Sequence, residues 1–206
     1  MQTSGPIEHE KLARIRDLGE RSMRRASEAL TTLLGHPVRL AVVGILPLAD
    51  ADGLLEEASG DAATSIGLDF QIAGQAGGNA LILFPNLTVF RILGTLLGRP
   101  TEPHELDVLE RSAIQELGNI LASSFLSELG NLTHRRFMHS VPQVHLHEAH
   151  QRMREMLASV HARRTEVVVI QARFEDPARR LEGGFFVLPE IAALLPADPQ
   201  GAGSQA

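Results

Sequence analysis

Ser112, Glu116, Asn119 and Ser123 stand at i, i+4, i+7 and i+11 in the apolar-spaced stretch SAIQELGNILASSF. On a helix this spacing sets them along one polar stripe, with the heads of Glu116 and Asn119 side by side on adjacent turns. A carboxylate there can hold a cationic partner. A carboxamide accepts and donates at once, so it can orient a water without being ionised. That suits an electrophile that is already activated. Gly118, between the two, costs about 1 kcal/mol relative to alanine in a helix interior. Asn119 is a poor interior residue as well, because its amide competes for local backbone bonds. A solvated face requires neither residue. The glycine is expected to keep the helix surface low enough for a partner's backbone to approach.

The helix that carries the stripe is expected from about Leu106 to Leu132. Leu109, Ala113, Ile114, Leu117, Ile120, Leu121, Phe125 and Leu129 form its apolar face, and that face must rest on a sheet. Upstream, a first long helix is expected from about Glu8 to Leu34, with Leu12, Ile15, Met23, Ala26, Leu30 and Leu33 inward and Gly35 as its stop. Strands follow at 37–48, 66–74 and 79–85, then a short helix at 86–98 with Asn86 as its cap. After RPTEPHE the pattern restarts. The second long helix is followed by a strand at 136–148 with a proline at an edge or bulge, a helix at 150–164, strands at 165–176 and 183–189, and a last helical turn at 190–195. IRDLG (15–19) and IQELG (114–118) share four residue types at the same offsets, as do GGNALILFP (77–85) and GGFFVLP (183–189) in outline. Such matches suggest an internal duplication. The expectation is an α+β domain over 8–195, with pseudo-repeats about 8–98 and 106–195, each helix, three strands, helix, flanked by a flexible start (1–7) and tail (196–206).

Composition removes several function classes. The 206 residues hold no cysteine, so a disulfide framework, a cysteine-ligated metal and a thiol nucleophile are excluded. Eight Phe with no Trp or Tyr imply a mainly aliphatic core and no stacking platforms for single strands. A formal charge of −6 argues against nucleic acid. The N-terminus lacks a basic start followed by an apolar run, and no apolar run is long enough for a membrane span, so a cytoplasmic location is expected.

The four spaced residues resemble the signature of the CheC/CheX/FliY family, phosphatases of the chemotaxis response regulator CheY. That signature is Asp or Ser, three residues, Glu, two residues, Asn, twenty-two residues and Pro. Ser112, Glu116, Asn119 and Pro142 meet it, with residues 120–141 as the spacer. The resemblance extends over about 8–195. It implies a CheC-like fold with pseudo-twofold halves forming a sheet covered by long helices. It implies that Asn119 orients the water that attacks the regulator's aspartyl phosphate and that Glu116 docks a lysine of the regulator. Ser112 and Pro142 would support the site. No cofactor or metal of its own is implied; the partner carries Mg²⁺. A CheD-type deamidase is a further partner of CheC proteins, and FliY-type relatives serve in the flagellar switch. The alternative is therefore a non-catalytic adaptor or switch component. In the first helix the positions matching Glu116 and Asn119 are Asp17 and Glu20, with Ala13 in place of the serine. Glu20 would face an anionic phosphoryl group and cannot donate when ionised, so this second site is expected to be degenerate.

Other candidates are weaker. His139, His145, His147 and His150, with Glu148, could seat a metal, but an exposed histidine-rich edge strand is the simpler reading. AGQAGGN (73–79) lacks the Lys-Ser/Thr of a phosphate loop and reads as a hairpin turn. Ser123 and Ser124 lack a nucleophile-elbow context. RMREMLASVHARR (152–164) has basic amphipathic character and reads as a surface helix.

Overall fold

The computed structural model describes residues 6–47, 65–74, 77–146, 149–162, 167–176 and 181–195. Of the termini expected to be flexible, 1–5 and 196–206 lie outside these residues, while Pro6 and Ile7 already belong to the first helix. The elements run α1 (Pro6–Leu34), β1 (Arg39–Pro47), β2 (Ser65–Gly74), β3 (Gly78–Pro85), α2 (Asn86–Leu97), α3 (Val108–Thr133), β4 (Phe137–His139), β5 (Gln143–His145), α4 (Ala149–Ala162), β6 (Val168–Glu175), β7 (Gly184–Pro189) and α5 (Ile191–Leu194).

All seven strands join one antiparallel sheet in the order β1-β6-β7-β3-β2-β4, with β5 also on β2. The order is symmetric about the β3–β7 pair. The last strands of the two halves meet at the centre, as in Ala80↔Val187 and Ile82↔Phe185. The first strand of each half crosses to the other half's outer edge. The α+β reading of two pseudo-symmetric halves holds, and the halves pair their strands rather than stack.

The strand side chains alternate with period two, which gives the sheet two apolar faces. Leu68, Phe70, Ile72, Ala80, Ile82, Ile170, Phe185 and Val187 meet α1, α2 and α3 in the main core. Leu81, Leu83, Val169, Phe186 and Leu188 meet Met153, Leu157 and Val160 of α4 on the other side. The core is mostly aliphatic, but Phe84, Phe90, Phe125, Phe185 and Phe186 are among its largest buried residues.

Three local expectations change. Asn86 is the first helical residue of α2, not its cap; Pro85 takes that position without a side-chain cap bond. The cap missed by sequence lies at α3, where Asp107 accepts from the Glu110 amide and Glu110 answers to the Asp107 amide. Glu110 is buried and Leu109 is 60% exposed, the reverse of the expected face. Finally, the single strand expected at 136–148 is two three-residue strands, β4 and β5, broken at Ser140–Pro142. Both pair with β2 at the sheet edge, where a residue without an amide hydrogen is tolerated.

Candidate functional site

Helix α3 and the 139–142 turn build the site together. The inward face of α3, with Ile114, Leu117, Leu121, Phe125 and Leu129 buried, fixes the helix on the sheet. Glu116 then lies exposed and Asn119 half-buried on the outer side. The Asn119 Nδ2 donates to Glu116 Oε2 at 3.3 Å. That bond aims the carboxamide and leaves its Oδ1 as an acceptor. Ser112 is exposed and donates to the Val108 carbonyl at 2.8 Å, a local bond within the helix.

Gly118 sits elsewhere than expected. It is buried, and a Cβ there would stand 3.4 Å from Pro142 Cβ and 3.5 Å from Leu68 Cδ1. The small residue therefore faces this chain's own turn and sheet, not a visiting partner. Pro142 is buried, and its carbonyl accepts from Gln115 Nε2 at 2.7 Å. Ser123 continues the stripe to His139, with Oγ and Nε2 at 2.8 Å. The His139 Nδ1 donates to the Ser140 carbonyl at 2.9 Å, which leaves Nε2 for the Ser123 hydroxyl. Helical spacing brought out Glu116 and Asn119, and the resemblance to the family signature added Pro142. Neither could find Gln115 and His139, because their roles depend on a contact between helix and turn.

The matching pair in α1 is arranged differently. Asp17 lies 3.7 Å from Arg21 and Glu20 lies 3.8 Å from Arg16. Both carboxylates line a groove of about 560 Å³ with Arg21, Arg24 and Arg39. They are held by cations of their own helix, and no carboxamide stands among them.

Among the described side chains, His139 and His145 stand on different faces of the sheet. His139 reaches Ser123 on the α3 face, whereas His145 bonds Asp69 on the face covered by α4, where Arg152 also reaches Asp69 at 3.2 Å. His147 and Glu148 lie outside the described residues. Among the described residues no three His, Asp or Glu are grouped to hold a metal, and no helix is long and apolar enough to cross a membrane. The 152–164 segment falls mainly in α4, whose apolar side is buried on the sheet; the residues between β2 and β3 at 75–76 lie outside the described set.

A pseudo-symmetric antiparallel sheet under two long helices, one bearing a Glu–Asn pair above a buried proline, resembles the CheC-like class. The comparisons agree with this class. The model of the CheC-like family matches residues 109–146, the span of the stripe and the turn. The CheY-P phosphatase CheC of Bacillus subtilis is 25% identical over 189 residues, 89% of this chain and 90% of that protein. Thermotoga maritima FliY shares the fold at a TM-score of 0.69 and 18% identity, over 94% of both chains. CheX from the CheX–CheY–BeF3–Mg complex of Borrelia burgdorferi does so at 0.55 and 14%, over 83% of this chain and 96% of that one. The resemblance to the CheC/CheX/FliY family thus stands in sequence and in fold.

Proposed function

We propose that this protein hydrolyses the aspartyl phosphate of a CheY-like response regulator in the cytoplasm, in chemotaxis or a related two-component signal. The observation that carries the reading is the Glu116–Asn119 pair, bonded at 3.3 Å and turned outward from α3. A relative named as a CheY-P phosphatase and a CheX fold solved with CheY support the same substrate class.

Asn119 Oδ1 accepts a hydrogen from a water, which turns the water's lone pair toward phosphorus. The water oxygen bonds to phosphorus as the bond from phosphorus to the aspartyl oxygen breaks; the carboxylate stays on the regulator, and inorganic phosphate leaves with the water's oxygen and its two hydrogens. Glu116 holds the Asn119 amide and offers a carboxylate to a lysine of the partner. The phosphoryl group and its Mg²⁺ belong to the regulator, so this chain contributes position more than charge. The Asp17/Glu20 pair takes no part in turnover, because Glu20 stands in place of the carboxamide, faces the phosphoryl group with a negative charge and cannot donate when ionised.

The test is phosphate release from a phosphorylated CheY-like regulator of the same organism. Asn119→Ala is expected to lower kcat by about 100-fold, the scale of losing one positioning group. Glu116→Ala is expected to raise KM by about tenfold, the equivalent of ~1.4 kcal/mol of docking energy. Unchanged turnover in Asn119→Ala would show the site assignment to be wrong. Tight binding without any acceleration by the wild type would favour the adaptor role, with a CheD-type deamidase or a switch component as partner.

A further inference from the structure

The 139–142 turn is tied to α3 on both sides of the Glu116–Asn119 pair. On one side Gln115 donates to the Pro142 carbonyl at 2.7 Å. On the other Ser123 bonds His139 at 2.8 Å. The two anchor positions on the helix are eight residues apart, about 12 Å along its axis, and Glu116, Gly118 and Asn119 lie between them. Between the anchors Pro142 seats directly on Gly118. The turn is fixed on its other flank as well. The Ser140 amide donates to the Gln71 carbonyl at 3.0 Å, and Ser140 Oγ accepts from the Gln71 amide at 3.0 Å. The ring of His139 stands edge-on to Phe70 of β2 at 5.7 Å. β4 and β5 have three residues each, so backbone pairing alone would hold this edge weakly.

We infer that Gln115, Ser123 and His139 are positioning residues that clamp the turn to the helix and so fix where Glu116 and Asn119 present their heads. The inference rests on the proposed phosphatase reading and adds residues that the four-position signature does not contain. Two contacts at separated points resist rotation of the helix against the turn, which one contact cannot do. A water-orienting carboxamide gains from this, because a misplacement of about 1 Å can cost on the order of 100-fold in rate. His139 serves the clamp with both ring nitrogens, Nδ1 on the Ser140 carbonyl and Nε2 on the Ser123 hydroxyl. Neither nitrogen needs to touch the partner.

The experiment measures kcat, KM and amide hydrogen exchange of residues 137–145 in the full chain. The variants are Gln115→Met, Ser123→Ala, His139→Phe and the Gln115→Met/Ser123→Ala double, with Ser127→Ala on the same helix as control. Each single change is expected to lower kcat by about 3- to 10-fold with KM changed less than about twofold, and the double to lower it further. Exchange across the turn is expected to quicken by about tenfold in the double. Ser123→Thr, which keeps the hydroxyl, should restore kcat. A merely structural role would lower the unfolding midpoint and leave kcat of the folded protein unchanged, and that result overturns the inference. Wild-type activity matched by every variant overturns the clamp alone. A wild type without activity overturns the phosphatase reading, and the positioning role falls with it.

Discussion

Gly118 separates two explanations of one residue. Read from the sequence, it lowers the outer helix surface for a partner. In the structure it lets α3 settle on Pro142 and Leu68. Gly19 in α1, the corresponding glycine, makes the same kind of contact: a Cβ there would stand 3.2 Å from Ile170 Cγ2 of β6. That half has Asp17 and Glu20 in place of the Glu–Asn pair and still has the glycine, which points to helix–sheet packing as its purpose. The space at 118 is ordinary van der Waals distance, so Gly118→Ala should fold, gain up to about 1 kcal/mol from helix propensity, and keep its phosphate release. Gly118→Leu should push Pro142 away, cost about 1–3 kcal/mol by overpacking, and lose activity. Urea unfolding and the phosphate-release assay decide both. A large loss of activity in Gly118→Ala with the fold intact would return the glycine to the docking surface.

The start of α3 is where an element carries its own control. Asp107 and Glu110 form a capping box. Buried Glu110 also takes Arg99 at 3.2 Å and His104 at 2.8 Å, so the loop before α3 closes on the helix. Asp107→Ala is expected to cost about 1 kcal/mol in urea unfolding. His104 faces the Glu102 carbonyl with Nδ1 and the Glu110 carboxylate with Nε2. Neither can donate, so both bonds require the imidazolium. Its pKa is raised above 6.5, chiefly by the bond to the Glu102 carbonyl; desolvation opposes this, and the bond to Glu110 with the charges of Glu110 and Asp107 adds to it. Since the folded value lies above the unfolded one, the stabilisation is complete below pH 6.5 and is lost as pH rises through the folded value. The stability gap between wild type and His104→Gln should therefore be widest on the acid side and close toward alkaline pH. A gap independent of pH between 5.5 and 8.5 would contradict it.

On the scale of the whole molecule, the sheet is covered on both faces, and different residues hold each side. Phe185 is buried at the centre of the main core, with Phe70 at 6.2 Å and Phe125 at 5.7 Å. Phe185→Ala should cost about 3–5 kcal/mol through the cavity it leaves, measured by denaturant midpoint. On the opposite face Asp69 of β2 joins His145 of β5 and Arg152 of α4. The β5 edge is held here at its far end from the Ser123–His139 contact. Asp69→Ala leaves two donors without their acceptor and should cost about 1–3 kcal/mol. A change below about 0.5 kcal/mol, the level of an exposed pair, would show that the cluster does not hold α4 to the sheet.

The sequence alone determined what is periodic or local. The inward residues of α1 and the extents of β2 and β3 follow from side-chain spacing, and the Glu116–Asn119 juxtaposition follows from the helical repeat, because neighbours along a chain obey fixed geometry. The restart of the pattern after residue 105 also made two halves legible. Spacing could not show that the halves exchange their first strands, that the 136–148 segment breaks at Pro142, or that Glu110 rather than Leu109 turns inward. Nor could it pair Gln115 with Pro142 or Ser123 with His139. Those contacts join residues from different elements, and only the packing of α3 against the sheet edge brings them within hydrogen-bonding distance.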